Sequence, residues 1–405
     1  MAAQEMTVSK RGALVPPSPI RKLVPFADKA KAQGVRVHHL NIGQPDVATP
    51  RAFFEAVATF PDKVLAYGHS AGFSGLRDAM AAYCRRVGYD VDAEHVTVTT
   101  GGSEAIVFAM MAICDPGDEV LCFEPFYTNY NSFSIEASVQ LRPVRCDPAG
   151  GYHLPPRNQI EALINERTKA ILVCSPNNPT GTVLTRDEMQ MLASIASDRG
   201  LFLISDEAYR EFVYGEVPHT GVLQFPEIAD RAVLLDSLSK RYSVCGARIG
   251  CIVTRNEKLN QCFLQLGQAR LCSPSLEQHG AIALMALDDS YFSEVQAEYR
   301  KRRDTVIQGL SAIPGVQART PEGAFYVMAG IGVKDASHFA TWLLTDFRLD
   351  GETVMVAPGD GFYATPGLGC DEIRIAYVLE VAHLERAMKC LGAGLAQYRL
   401  LPGTV

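Results

Sequence analysis

The chain has no apolar run long enough to cross a bilayer, about 18 residues or more, so no membrane span is expected. It has no excess of positive charge either. Its 38 Lys and Arg against 45 Asp and Glu give a net charge of −7, which argues against a nucleic-acid binder. The 11 cysteines include no CxxC pair, and their number is odd. Most sit in apolar runs such as "EVLCFEP" and "ILVCSP", which suits reduced core thiols better than disulfides or metal ligands. The histidines are scattered, and His38–His39 has no carboxylate or thiol at ligand spacing, so no metal site is expected. The opening "MAAQEMTVSKRGALVPPSPIRK" lacks the apolar centre of a signal peptide and reads as a mobile arm. No internal repeat, low-complexity tract, Walker loop or dinucleotide fingerprint is present. What remains is the composition of a soluble globular protein, 47% hydrophobic and 20% charged, and 405 residues predict two domains. A cytoplasmic enzyme is the expectation.

From about residue 96 the chain alternates short β-rich runs with helix-like segments: "VTVTTGG" then "SEAIVFAMMAIC", "DEVLCFEP", "KAILVCSPNN", "TRDEMQMLASIASDRG", "LFLISDEAY", "AVLLDSLSK" and "IGCIVT". Strands spaced by helices of that length predict βαβ units and a mainly parallel sheet. The strand-like runs are continuously apolar, as strands covered on both faces should be. After roughly residue 275 one long helical stretch, "SLEQHGAIALMALDDSYFSEVQAEYRKRRDTVIQGLSAI", leads into "GAFYVMAGI", "DASHFATWLLTDF", "VMVAPGDGF" and "EIRIAYV", a pattern that suits a smaller α+β domain. The expected division is 51–290 for a large α/β domain and 291–405 for a small C-terminal one, with 1–50 an N-terminal arm that completes the small domain.

Ligands of open parallel sheets sit at the carboxyl ends of the strands. Each apolar run here ends in polar residues: "TTGGSEA" (99–105), "EPFYTNY" (124–130), "SPNNPTG" (175–181), "SDEAY" (205–209) and "DSLSK" (236–240). The glycines of "GGSEA" precede a helix whose first amides are unsatisfied, which makes either an anion site or an ordinary capping turn. Pro179 forces Asn178 into an extended conformation, in a functional loop or a simple β-turn. Asp206 follows a buried strand, as a helix cap or as the counter-charge of a cation. Tyr209 lies three residues on, so a short turn brings both to one side. Lys240 and Arg241 stand side by side five residues after the apolar Val233–Leu235, and strand alternation lets only one of them face inward. Arg248 and Arg374 call for anions, either salt-bridge partners or a ligand. An inward lysine, an inward aspartate, a phosphate-type loop and two arginines together describe a pyridoxal phosphate site.

Seven segments in order, "NIGQPD", "AYGHSAGFSGLRDAM", "GGSEAI", "PNNPTG", "SDEAY", "SLSK…GARIG" and "EIRIAY", resemble the class I and II aminotransferases, the fold-type I pyridoxal phosphate enzymes, over nearly the whole chain. The resemblance implies that Lys240 forms the Schiff base and then moves a proton between Cα and C4′ of the cofactor. It implies that Asp206 keeps the ring nitrogen protonated, that Asn178 and Tyr209 bond the phenolic oxygen, and that Tyr127 stacks on the ring where many relatives use tryptophan. The phosphate would be held by the amides of Gly102 and Ser103 with Ser237 and Arg248. Tyr67 is similar to a tyrosine that reaches the phosphate of the other subunit, so a homodimer with shared sites is implied. Gly43 would line the substrate pocket, and Arg374 would clamp the α-carboxylate; Arg241 falls back to a surface or salt-bridge role.

The amino donor is the open question. Some dicarboxylate-specific relatives carry a lysine beside the phosphate loop where this chain has Ser103, which weakens an aspartate assignment by that route. Arg270 in "GQARLCSPS" falls near where other relatives present an arginine to the distal carboxylate in the partner subunit, with a structural ion pair as its alternative. Aspartate or glutamate with 2-oxoglutarate as acceptor is the first expectation, aromatic or aliphatic amino acids the next. A pyridoxal phosphate lyase or synthase would share nearly all these residues. A transcription regulator would need a DNA-binding module for which 405 residues leave no room, and a non-catalytic relative should have lost Lys240 or Asp206.

Overall fold

The computed structural model describes residues 7–216 and 218–405; the first six residues of the expected arm lie outside that range. The described residues form thirteen strands. In chain order they are β1 (Arg36–His39), β2 (Val96–Thr99), β3 (Glu119–Glu124), β4 (Gln140–Arg145), β5 (Thr168–Cys174), β6 (Phe202–Asp206), β7 (Ala232–Ser237) and β8 (Gly250–Val253). The last five are β9 (Gln317–Ala318), β10 (Tyr326–Gly330), β11 (Glu352–Met355), β12 (Ala357–Pro358) and β13 (Glu372–Ala376).

Strands β2 to β8 make one sheet in the order β2-β8-β7-β6-β5-β3-β4, parallel except at β8, which runs against both its neighbours. The fold is therefore α/β with a mainly parallel seven-stranded sheet, as expected. Alternation along each strand divides the apolar residues between two layers. Ile171 and Val173 pack with Leu121, Leu203 and Leu234 on one face, while Ala170 and Leu172 pack with Val120, Ile204 and Val233 on the other. The helix Arg186–Arg199 shows how local chemistry sets such boundaries. Thr185 and Glu188 cap its start reciprocally, and Gly200 ends it at φ 67.

A second apolar body gathers around the antiparallel sheet β12-β13-β10-β9 and the parallel pair β1-β11. It takes Leu23, Ala27 and Leu40 from the N-terminal segment and residues from Val295 to Tyr398 from the other end of the chain. The single long helix read from 275 to 313 is in fact two, Ser275–Met285 and Asp289–Ser311. Asp288 breaks it by accepting a hydrogen bond from the Ser290 amide at 2.8 Å. Phe292 still packs with the large sheet, whereas Val295 belongs to the second body, so this helix carries the chain from one to the other.

All eleven cysteines are unpaired and most are buried. No helix among the described residues is long and apolar enough to cross a membrane.

Candidate active site

The carboxyl ends of β2, β3, β5, β6 and β7 open toward the second apolar body, and the polar residues that follow those strands meet there. Lys240 is not on a strand. Ser237 ends β7 and caps a one-turn helix, Leu238–Arg241, its Oγ accepting from the Ser239 amide at 3.2 Å. Side chains one position apart on a helix diverge by about 100°, so Lys240 and Arg241 still separate, for a different reason than strand alternation. Arg241 goes inward, where it bonds both carboxylate oxygens of Asp236 at 2.9 and 2.6 Å, and its guanidinium lies 4.2 Å from the centre of the Tyr83 ring. Lys240 points into the cleft. Its Nζ donates to the Gly43 carbonyl at 2.7 Å and lies 3.6 Å from Cys245 Sγ. Burial of the ammonium lowers its pKa; Cys245 opposes this in part, and the charges of Arg374 and Arg248 add smaller lowering effects.

Asp206, at the end of β6, is 9% exposed. Tyr130 donates to its Oδ2 at 2.8 Å and the Ala208 amide to its Oδ1 at 3.2 Å. Burial nevertheless dominates and pushes the carboxyl pKa up to about 6, helped by the nearby Asp236 and Glu207. Tyr209 follows in the turn and shares a 2.8 Å hydrogen bond with Tyr326 of β10. Gly43 is a glycine for a steric reason, since a Cβ there would collide with the Tyr326 ring.

Arg374 is buried at the centre of β13, its guanidinium 4.5 Å from the Tyr326 ring centre and 4.8 Å from that of Phe362. Nη1 donates to Asn178 Oδ1 at 3.0 Å and Nη2 to the Asn41 carbonyl at 2.5 Å, while Nε has no partner. Burial depresses its pKa, as expected of a cation whose anion is not in place. The Asn178 amide nitrogen has no partner among the described residues. Tyr127 meets Tyr130 edge-on at 5.5 Å, and burial raises its phenol pKa, Asp206 adding to the rise and Arg374, Arg21 and Arg248 opposing it.

The phosphate-type loop is packed backbone to backbone. Gly101 has φ 76, and a Cβ on it would run into the Arg248 guanidinium; Gly102 and Ser103 follow in the first turn of the helix Gly101–Ile113. A Cβ built on Gly102 would lie 3.7 Å from Ser237, and one on Gly250 would come within 2.8 Å of the Gly101 and Gly102 backbone. Arg248, itself at φ 55, donates to the Cys245 carbonyl at 3.0 Å.

Two predicted residues stand apart from this cluster. Tyr67 is 79% exposed. Arg270 bonds Glu104 at 3.1 Å and the Val98 carbonyl at 3.2 Å, which is the ion pair weighed as its alternative. Around His38 the sequence spacing was misleading, because strand pairing brings in distant ligand types. Its Nε2 lies 2.9 Å from Glu352, with Cys390 within reach. Arg386 bonds the same carboxylate and Arg36 lies beside it, so the negative charge a cation would use is already matched. Sequence reasoning also passed over Tyr130, Tyr326, Asn41 and Phe362. Tyr130 had a signal, three residues after Tyr127 in "EPFYTNY"; the others come from elements whose pairing no local pattern reveals.

The donor set fits pyridoxal phosphate. Among the described residues Lys240 has no acidic partner, Asp206 no cationic partner and Arg374 no anion. Three unmatched ionisable groups in one cleft are costly unless a ligand of complementary charge completes them.

Comparison with known proteins gives the family. The family model described as aminotransferase class I and II matches residues 35–391. The chain is 32% identical to the aspartate aminotransferase of Streptomyces avermitilis, over 93% of each chain. It superposes on the aspartate aminotransferase structure from Thermotoga maritima with a TM-score of 0.88 at 28% identity, covering 96% of this chain and 100% of that one. The same TM-score, identity and coverages hold for an alanine aminotransferase from Pyrococcus furiosus. A match over most of the length, a shared fold and a cleft with the matching donors lead to one conclusion: the chain belongs to the class I and II aminotransferases.

Proposed function

We propose that the protein is a pyridoxal phosphate-dependent aminotransferase that moves an amino group between an L-amino acid, aspartate or glutamate first and aromatic or aliphatic amino acids next, and a 2-oxo acid such as 2-oxoglutarate. The observation that carries this reading is the convergence of an acid-free lysine, a cation-free aspartate and an anion-free arginine in one cleft. Relatives named for aspartate and for alanine support the class and leave the donor open.

When bound, pyridoxal phosphate supplies an electrophilic carbonyl carbon and a ring that accepts the electrons left on Cα. The protein's residues would do the rest. Lys240, its pKa lowered, is the covalent anchor and takes and returns the Cα proton. Asp206 holds a proton on the ring nitrogen, and the pair so formed relieves the cost of burying its carboxylate. Asn178 and Tyr209 bind the phenolic oxygen, and Tyr127 packs on the ring face. The amides of Gly102 and Ser103, Ser237 and Arg248 bind the phosphate at a helix N-terminus. Arg374 binds the α-carboxylate beside Gly43, with Nε free for the second contact of a bidentate pair.

In this reading residues 51–290 hold the cofactor, and 291–405 with the N-terminal 1–50 form the smaller domain that brings Arg374 and Gly43 to it. A homodimer would place Tyr67 at the neighbouring site. Eleven unpaired cysteines suit a reducing compartment, the cytoplasm.

A half-reaction screen tests the proposal. The cofactor-loaded protein is mixed with single amino acids, and absorbance follows the conversion to the pyridoxamine form while the 2-oxo acid is assayed. Stoichiometric 2-oxo acid supports transamination. Ammonia or an eliminated group instead would make it a lyase on the same fold.

A further inference from the structure

The Arg374 guanidinium is packed against two rings, Tyr326 at 4.5 Å and Phe362 at 4.8 Å. Those rings fix the plane in which its fork can meet a carboxylate. Tyr326 is itself fixed by the ladder between β10 and β13. Phe362 has no ladder. It ends the short 3-10 turn Gly359–Phe362, and the chain after it runs through bends and turns until β13 begins at Glu372. Something else must hold that ring in place.

The last residue of β3 does so. Glu124 is 1% exposed, and its carboxylate accepts three hydrogen bonds from the residues just after Phe362. Oε2 accepts from the Ala364 amide at 3.0 Å and the Thr365 amide at 3.1 Å, and Oε1 from the Thr365 hydroxyl at 2.7 Å. Two residues further on, the Phe126 amide donates to the Phe362 carbonyl at 2.9 Å. Arg145, opposite Glu124 in the register of β4, is exposed and makes no ion pair with it among the described residues. A buried carboxylate without a cation is costly unless donors fill its oxygens, and here every side-chain bond comes from one loop of the other apolar body. The same segment continues to Tyr130, whose hydroxyl bonds Asp206 at 2.8 Å. Seven residues, Glu124 to Tyr130, thus join the loop beside the carboxylate clamp to the buried aspartate.

We propose that Glu124 is a positioning residue of the α-carboxylate clamp. It latches residues 362–365 to the end of β3 and so holds Phe362 against the Arg374 guanidinium. This deepens the aminotransferase reading above and rests on it, since Arg374 is the group that binds the donor there. Misplacing a binding group by about 1 Å can cost about a hundredfold, and three bonds to one ionised acceptor are enough to prevent such a shift.

The test uses the variants E124A, E124Q and T365V, with F362L as the partner in a double-mutant cycle. In the cofactor-free protein, hydrogen exchange of the peptide over 362–368 should speed up at least about tenfold in E124A. In the cofactor-loaded enzyme, the half-reaction is followed with the donor that the amino-acid screen identifies. E124A should raise the half-saturating donor concentration about five- to fiftyfold and lower the rate at saturation by less than about twofold. E124Q keeps an acceptor for the two amides and should recover most of that loss. T365V, an exposed isosteric change that removes only the hydroxyl bond, should raise the half-saturating concentration about two- to fivefold and keeps the test open if E124A does not fold. E124A combined with F362L should cost no more than the larger of the two alone. An unchanged half-saturating concentration in E124A, or in T365V where E124A does not fold, overturns the role of Glu124. So does an equal weakening of pyridoxal phosphate affinity, or additive effects of E124A and F362L, and each leaves the aminotransferase reading intact. A wild-type enzyme that transfers no amino group from any amino acid overturns that reading, and the role of Glu124 with it.

Discussion

Asp206 is the clearest case of a buried carboxylate that costs stability unless the proposed cofactor pairs with it. In the unfolded chain its carboxyl titrates near 3.8, and in the folded protein near 6 because burial opposes the charge. A folded-state pKa above the unfolded one means that the folded protein binds more protons between those values. The cofactor-free protein should therefore lose stability as pH rises from about 4 to about 6, by up to about 3 kcal/mol from this group, and show no further change from it above that. Asp206→Asn, which cannot ionise, should make the cofactor-free protein more stable than wild type at pH 8 and narrow that advantage to about a third at pH 4.5, as read by urea denaturation. The same substitution should cut kcat by at least about a hundredfold, because a neutral amide does not hold a proton on the ring nitrogen. A cofactor-free Asp206→Asn protein no more stable than wild type at pH 8 would show that the carboxylate is not strained. Lys240→Ala removes a different function. It should lower kcat by at least about a thousandfold while a dicarboxylate inhibitor still binds, since the Arg374 clamp is untouched. Loss of inhibitor binding in parallel would point to a collapsed cleft instead.

At the level of elements, the site depends on how closely three loops approach one another at the start of the helix Gly101–Ile113. Gly101→Ala tests that packing, because the new methyl both opposes φ 76 and meets the Arg248 guanidinium. It should cost about 1–3 kcal/mol of stability and weaken the affinity for pyridoxal phosphate more than Ser103→Ala does, measured by fluorescence titration of the cofactor-free protein. Equal effects of the two substitutions would remove Arg248 from the phosphate site. The strands around this point were legible in the sequence. Runs such as "KAILVCS" are apolar at every position because both faces of the sheet are covered, and polar residues at their ends can only be loop or site. That Asp206, Asn178 and Lys240 lie at those strand ends was legible for the same reason. The one-turn helix under Lys240 was not, since four residues are too few to show a period. The break at Asp288 was hidden because the apolar spacing continues across it. Tyr326 and Asn41 could not be found locally: Tyr326 reaches the site through the pairing of β10 with β13, and Asn41 through the loop that follows β1. Arg241 looked equivalent to Lys240 until the positions of Asp236 and Tyr83 gave it a buried role.

At the scale of the whole molecule, the exposed apolar side chains are the informative feature. Val64, Leu65 and Tyr67 are 72%, 59% and 79% exposed within one short segment, which is unusual for a surface that stays in water. If that segment covers a second copy of the chain, Tyr67 acts in the neighbouring site and Lys240 in its own, so the two residues can be separated genetically. Tyr67→Ala and Lys240→Ala proteins are each prepared nearly inactive, mixed, dissociated in mild denaturant and allowed to re-associate. A mixed dimer then has one site with both substitutions and one with neither. Random pairing makes about half of the dimers mixed, so activity should recover to about a quarter of wild type. If Tyr67 served its own subunit, every site would lack one residue or the other and mixing would recover nothing. Activity near a quarter of wild type, together with a sedimentation mass of two chains, would establish both the dimer and the exchange of Tyr67. A monomeric mass, or no recovery from mixed dimers whose formation is verified by differential tags, would place Tyr67 outside the site and leave the apolar segment without this explanation.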